Sequence, residues 1–203
     1  MRSTRLLAVA AATLALSAMS LAGVADAGAT VTTFDFHRVT NTSSVLTIFR
    51  QDTLDGRVLN QQSYRAGSGL NTNECDSAAY DGVGGWLPAG YYSPLGHWDG
   101  YPGSKIQGRV WQLQDKRCSG GTGTLRTELF IHSEETSSQG QYCPTSGDDP
   151  FCWESDSDYY SLGCIKISRA APYPSDLAKL DGNWHNWSGL TGSFSLPQRV
   201  YVY

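Results

Sequence analysis

The chain has 203 residues, of which 40% are hydrophobic, 11% aromatic and 17% charged, and its formal net charge is −4. That length suits one domain, and the low charge with abundant aromatics excludes a disordered chain. The acidic balance argues against nucleic acid or an anionic lipid surface as the main partner.

Residues 1–27 have the three-part layout of a secretory signal peptide. Arg2 and Arg5 form a basic start, Leu6 to Val24 is an apolar run, and Ala25-Asp26-Ala27 is a small-x-small cleavage site. The run is nearly long enough to cross a bilayer, but its Ala- and Ser-rich composition and small-residue exit favour removal. Cleavage takes two Arg and one Asp from the 15 basic and 19 acidic residues, leaving a mature chain (residues 28–203) of net charge −5. The expected location is secreted, in the cell wall or periplasm, with no membrane contact after signal removal.

The remainder reads as mostly β. Val45 to Arg50 is a β-rich run, and Gly56 to Leu59 follows a Leu54-Asp55-Gly56 turn, which predicts a hairpin. Further strand-like runs are Ile106 to Leu113, Leu125 to His132, Gly163 to Ile167 and Arg199 to Tyr203. Only Pro174 to Leu180 reads as helix, with Ser175 as its cap, Leu177 and Leu180 on one face and Gly182 past its end. Many short strands with one short helix predict a small β sandwich or barrel, and no repeat or linker divides the mature chain.

Export makes the five cysteines informative, because four can pair and one is left over. Cys143 and Cys152 lie nine apart in a Pro/Gly/Ser loop, a natural staple, and Cys75 and Cys118 sit in Gly/Ser/Asn-rich turns. Cys164 alone lies in an apolar run, Leu162-Gly163-Cys164-Ile165-Lys166-Ile167. Two staples and one thiol at Cys164 is the economical arrangement, and that thiol is either reactive or simply a buried core cysteine.

His132 closes one strand-like run and Cys164 opens another 32 residues later. A thiol with a pKa of about 8.5 is mostly protonated at neutral pH, so nucleophilic catalysis needs a neighbour. An imidazole within reach supplies a base, and a small Gly163 lets a substrate carbonyl approach backbone N–H groups that stabilise an oxyanion.

These residues resemble a known family. His132-Ser133, a loop, and then Ser161-Leu162-Gly163-Cys164-Ile165-Lys166 is similar to the catalytic block of the L,D-transpeptidases, where a His precedes a Ser-His-Gly-Cys sequence. Ala66 to Gly69, Leu87-Pro88-Ala89-Gly90-Tyr91-Tyr92, Ser175 to Leu180 and Val200 to Val202 resemble further family segments in the same order. The resemblance implies Cys164 as nucleophile and His132 as its base, with Ser133, Ser161, Gly163 and Lys166 lining the substrate site. Lys166 stands where the family has Arg, and Leu162 replaces the His of Ser-His-Gly-Cys. The implied chemistry is acyl transfer on peptidoglycan stem peptides through a Cys thioester. Amine attack on it gives a cross-link and water gives a carboxypeptidase, with no metal or organic cofactor and a monomeric enzyme. Two other readings stay open: a sortase-like transpeptidase, for which Arg169 is an available cation, and a non-catalytic, disulfide-stapled cell-wall-binding module. A papain-like peptidase is disfavoured because its Cys precedes its His.

Between His132 and Cys164 lie Glu134, Glu135, Asp148, Asp149, Glu154, Asp156 and Asp158, with no Lys or Arg from 134 to 158. The run reads as a solvated loop, or as a field that draws the ammonium group of an acceptor stem. His185, between Trp184 and Trp187, reads as core more readily than as part of a sugar-stacking platform or an alternative base. His97, beside Trp98, reads as part of a surface turn, and His37 has no evident partner. Four dispersed His without Cys-x-x-Cys or His-Glu-x-x-His spacing predict no zinc site. The Gly-rich Ser119 to Gly123 reads as a turn, without the Lys of a phosphate loop.

Overall fold

The computed structural model describes residues 30–77, 84–144, 151–169, 175–187 and 199–203. The signal-peptide segment, Pro174, Asp148 and Asp149 lie outside the described residues.

Nine strands form one sheet, which curls into a nearly closed barrel, in the order β4 (Gly90–Tyr92), β11 (Arg199–Val202), β1 (Thr30–His37), β2 (Ser44–Asp52), β3 (Val58–Gly67), β10 (Ile165–Ile167), β9 (Phe130–His132), β6 (Gln107–Leu113) and β5 (Pro94–Pro102), and among the described residues there is one α-helix. Its first part is a meander: β1 (Thr30–His37), β2 (Ser44–Asp52) and β3 (Val58–Gly67) pair antiparallel in sequence. Alternation builds it, since Leu46 and Ile48 of β2 and Phe34 and Phe36 of β1 point inward and are fully buried. The predicted hairpin is therefore present and longer at both strands. β1 was not predicted, because Thr30-Val31-Thr32-Thr33 dilutes its apolar signal.

β4 (Gly90–Tyr92) pairs with β11 (Arg199–Val202), and β11 runs parallel to β1. β5 (Pro94–Pro102) is the far edge strand, paired with β6 (Gln107–Leu113), and prolines at its two ends suit an edge. The surface turn expected around His97 is thus part of a strand. The predicted run from Leu125 to His132 is broken in two. β8 (Leu125–Arg126) pairs with β7 (Lys116–Arg117), whereas β9 (Phe130–His132) joins the large sheet, and Glu128 between them has φ 55°.

Strand β10 (Ile165–Ile167) lies inside the sheet, antiparallel to β3 and parallel to β9, with Lys166 opposite His132. Alternation splits this part of the sheet into two faces. Trp111, Ile131, Ile165 and Ile167 enter the main core, while Val110, Phe130 and Cys164 form a small apolar cluster on the other side.

Helix α1 spans Asp176–Trp187 and buries Leu177, Leu180 and Trp184 in the main core. The Ser175 hydroxyl accepts from the Ala178 backbone N–H at 3.3 Å, the expected cap. Gly182 lies inside the helix rather than past its end, because Trp184 and Trp187 continue the apolar face to the core.

Two disulfides, Cys75–Cys118 and Cys143–Cys152, staple the loops, and Cys164 is a buried free thiol. Disulfides of this kind fit an oxidising, extracellular environment. Among the described residues no helix is long and apolar enough to cross a membrane.

Candidate active site

A pocket of about 500 Å³ opens on the face of the sheet opposite the main core. Cys164, His132, Lys166, Ser161, Phe130 and Arg126 are among its lining residues. Cys164 precedes Ile165, the register partner of Ile131, so the thiol and imidazole stand on the same face of adjacent parallel strands, two residues out of step. With strands about 4.8 Å apart and a rise of about 3.3 Å per residue, that offset separates their Cα atoms by roughly 8 Å. Both residues line the pocket, with no hydrogen bond between them among the described residues.

The thiol is held as a neutral group. Its hydrogen bond runs to the carbonyl oxygen of Glu128 at 3.6 Å, and burial pushes its pKa up to about 11 against the Phe130 backbone N–H, Lys166 and Arg126, which favour the thiolate. The imidazole is held neutral too. Burial and the nearby Lys166 ammonium lower His132 to about 3, and its Nδ1 lies 2.9 Å from the carbonyl oxygen of Ser133. If Nδ1 carries the proton and donates to that carbonyl, Nε2 is left as the base, and no side-chain carboxylate is needed to set the tautomer.

The remaining predicted residues take varied places. The Ser161 hydroxyl donates to the Cys164 carbonyl at 2.7 Å and accepts from the backbone N–H groups of Gly69 and Gly163, so it fixes the loop that carries the thiol. Gly163 has φ 117°, and a Cβ there would stand 2.2 Å from Nη2 of Arg126. Its smallness makes room for a guanidinium rather than for a substrate carbonyl, and its N–H is already donated to Ser161. The Ser133 hydroxyl is buried and has no hydrogen-bond partner among the described residues. Lys166 lines the pocket but is held in a buried ion pair with Glu134.

Three acids expected on a solvated loop are buried with partners. Glu134 pairs with Lys166, and burial pushes its carboxyl up to about 7, with Lys166 opposing. Glu135 binds Arg109 bidentately at 3.0 and 2.9 Å and Arg169 at 3.2 Å. Asp158 accepts from the backbone N–H groups of Glu154 and Ser155, while Asp156 is exposed beside Arg65. Arg169, the cation available to a sortase-like reading, is thereby committed to Glu135.

Arg126 was missed in the sequence. It is buried, and its guanidinium donates to the carbonyl oxygens of Glu74 (2.7 Å), Trp86 (3.2 Å) and Leu162 (2.7 Å). One side chain thus ties the Cys75 turn and the segment before β4 to the loop entering Cys164. A lone Arg in Leu125-Arg126-Thr127 carries no spacing that announces this.

The histidines also depart from expectation. His97 lies on β5 with its side chain 6% exposed, against the rings of Trp111 and Trp184, at 4.7 and 4.1 Å between centroids. His97 and His185, expected to be dispersed, converge with Asp99 and Asp181, one ligand-type atom each, all within 4.8 Å of one another. Comparison of the chain with known protein families and with curated proteins finds no match.

Proposed function

We propose that this protein is a secreted cysteine acyltransferase acting on peptidoglycan stem peptides, as an L,D-transpeptidase or L,D-carboxypeptidase. The reading rests on the one unpaired cysteine and a neutral imidazole that line a single pocket. The resemblance of the His132-Ser133 and Ser161 to Lys166 segments supplies the substrate class.

In this reading Nε2 of His132 takes the Cys164 proton as sulfur attacks the carbonyl carbon of a stem-peptide bond. The tetrahedral adduct collapses, the C–N bond breaks, and the proton passes from His132 to the departing amine of the D-residue. The thioester is then attacked by an acceptor amine, giving a cross-link, or by water, giving a shortened stem. Arg126 and Ser161 hold the nucleophile loop, and the Lys166 charge keeps the imidazole in its basic form.

The raised thiol pKa favours a second reading, a wall-binding module in which Cys164 is inert. Incubation with purified muropeptides separates the two. The first reading expects release of a terminal D-residue or formation of dimers, abolished by Cys164→Ser and reduced about 10²–10⁴-fold by His132→Ala. Retention of turnover by Cys164→Ser refutes the enzyme reading, and muropeptide binding without turnover establishes the second.

A further inference from the structure

We propose that His97, Asp99, Asp181 and His185 form a binding site for a divalent transition-metal ion of the zinc type, which fastens the edge strand β5 to helix α1. Period two puts His97 and Asp99 on one face of β5, and Asp181 and His185, four residues apart, share one face of α1. The two pairs meet. Nε2 of His97 lies 3.2 Å from Oδ1 of Asp181 and 3.8 Å from Oδ1 of Asp99, and Nε2 of His185 lies 3.4 and 3.5 Å from the same two oxygens.

Those spacings fit a four-coordinate ion. Bonds of about 2.0–2.1 Å in a tetrahedron place ligand atoms about 3.3–3.4 Å apart. Two imidazole nitrogens and two carboxylate oxygens form a donor set that suits zinc, and the two carboxylates cancel its charge. The polar atoms also ask for something between them. The His97 side chain is 6% exposed and that of Asp181 13%, yet neither His97 Nε2 nor Asp181 Oδ1 has a hydrogen-bond partner among the described residues, although they are only 3.2 Å apart. A cation between them satisfies both, where an apolar environment would otherwise leave two costly orphans.

The surroundings hold the ligands in place. His97 is wedged against Trp111 and Trp184, both fully buried, which fixes its ring. The nearby cation Arg109 feels both Asp99 and Asp181, but its own charge is engaged by the bidentate Glu135. Trp111 faces the main core, so the cluster sits on the opposite side of the sheet from Cys164. Four protein ligands leave no open coordination position, which makes the site structural rather than catalytic.

Zinc binding to the purified, disulfide-intact protein is measured by competition with a chromophoric chelator, in wild type and in Cys164→Ser, so that the thiol is excluded as a ligand. The expected result is one zinc per chain in both. Asp99→Asn and His185→Gln, at partly exposed positions that the fold tolerates, should each weaken binding at least tenfold. Added cobalt should give the intense visible absorption of a four-coordinate ion, and added zinc should raise the melting temperature of wild type but not of the Asp99→Asn/His185→Gln double variant. Absence of binding in wild type, or binding that survives in the double variant, overturns the proposal. The readouts are independent of any turnover, so failure of the acyltransferase reading leaves this test intact.

Discussion

Two routes to a cysteine nucleophile make opposite demands on Cys164, and alkylation kinetics distinguish them. A resting thiolate–imidazolium pair reacts rapidly at neutral pH and shows little pH dependence. The geometry here instead gives a neutral thiol with a pKa near 11 beside an imidazole that stays neutral down to about pH 3. At pH 7.5 a free cysteine of pKa about 8.5 is about 9% thiolate, whereas Cys164 is about 0.03%, a deficit of about 300-fold. The greater basicity of the higher-pKa sulfur returns about tenfold of this, leaving alkylation about 30-fold slower than that of a free cysteine before any effect of restricted access. Rate against pH, followed by mass with a small neutral alkylating agent, should rise tenfold per unit from pH 6 to 10 with no plateau. His132→Ala removes an uncharged neighbour and should change alkylation less than threefold, while acylation by a carbapenem or turnover of a stem peptide should fall about 10²–10⁴-fold. A plateau below pH 8, or a His132→Ala variant whose thiol pKa rises by more than one unit, would falsify the general-base account and establish a preformed ion pair.

Other consequences are as direct. Gly163→Ala combines a φ of 117° with a Cβ 2.2 Å from an Arg126 nitrogen already bonded to the Leu162 carbonyl, and should cost about 2–3 kcal/mol, read as a lower urea midpoint. Gly182→Ala, inside α1 with nothing within 4 Å of the added Cβ, should instead stabilise by about 1 kcal/mol. A larger loss on removing Cys75–Cys118 than Cys143–Cys152 follows from loop separations of 43 and 9, with chain-entropy costs of about 4 and about 2.6 kcal/mol, measurable by calorimetry on paired Cys→Ser variants. His132 sits folded at about 3 against about 6.5 when unfolded, so the unfolded chain binds the extra proton. Stability is fully present above pH 6.5 and falls by up to about 1.4 kcal/mol per unit towards pH 3. Glu134, raised to about 7, acts in the opposite sense between about pH 7 and 4.5, so the difference between wild type and His132→Gln isolates the imidazole. Equal acid sensitivity in the two proteins would contradict the burial argument.

What could be read from the sequence followed the strength of local pattern. The β2–β3 hairpin was legible because Val45 to Arg50 is rich in β-branched and aromatic residues and an Asp55-Gly56 turn follows it. The composition around each cysteine suggested two staples and an odd thiol at Cys164, while the connectivity itself came from the folded structure. β5 was hidden, since an edge strand tolerates the Pro, Gly and Asp that otherwise signal a turn. Long-range electrostatics were hidden as well. Nothing local in Glu134-Glu135 shows that one carboxylate faces Lys166 and the next faces Arg109, and only the folded sheet brings His97 to His185 across 88 positions of chain. Gly163 was recognised as necessary, but for a space that Arg126 fills.

The brevity of β10 has a mechanical consequence. Its three residues hold the sheet together between the β1–β3 meander and the β5–β6–β9 block, with Lys166 and Ile167 registered on one side and Ile165 and Lys166 on the other. Cys164 sits one residue from this seam, so any breathing of the two blocks moves its sulfur relative to the His132 imidazole before it disturbs either block internally. Amide exchange at Ile165 to Ile167 is accordingly a direct gauge of how often the two blocks separate.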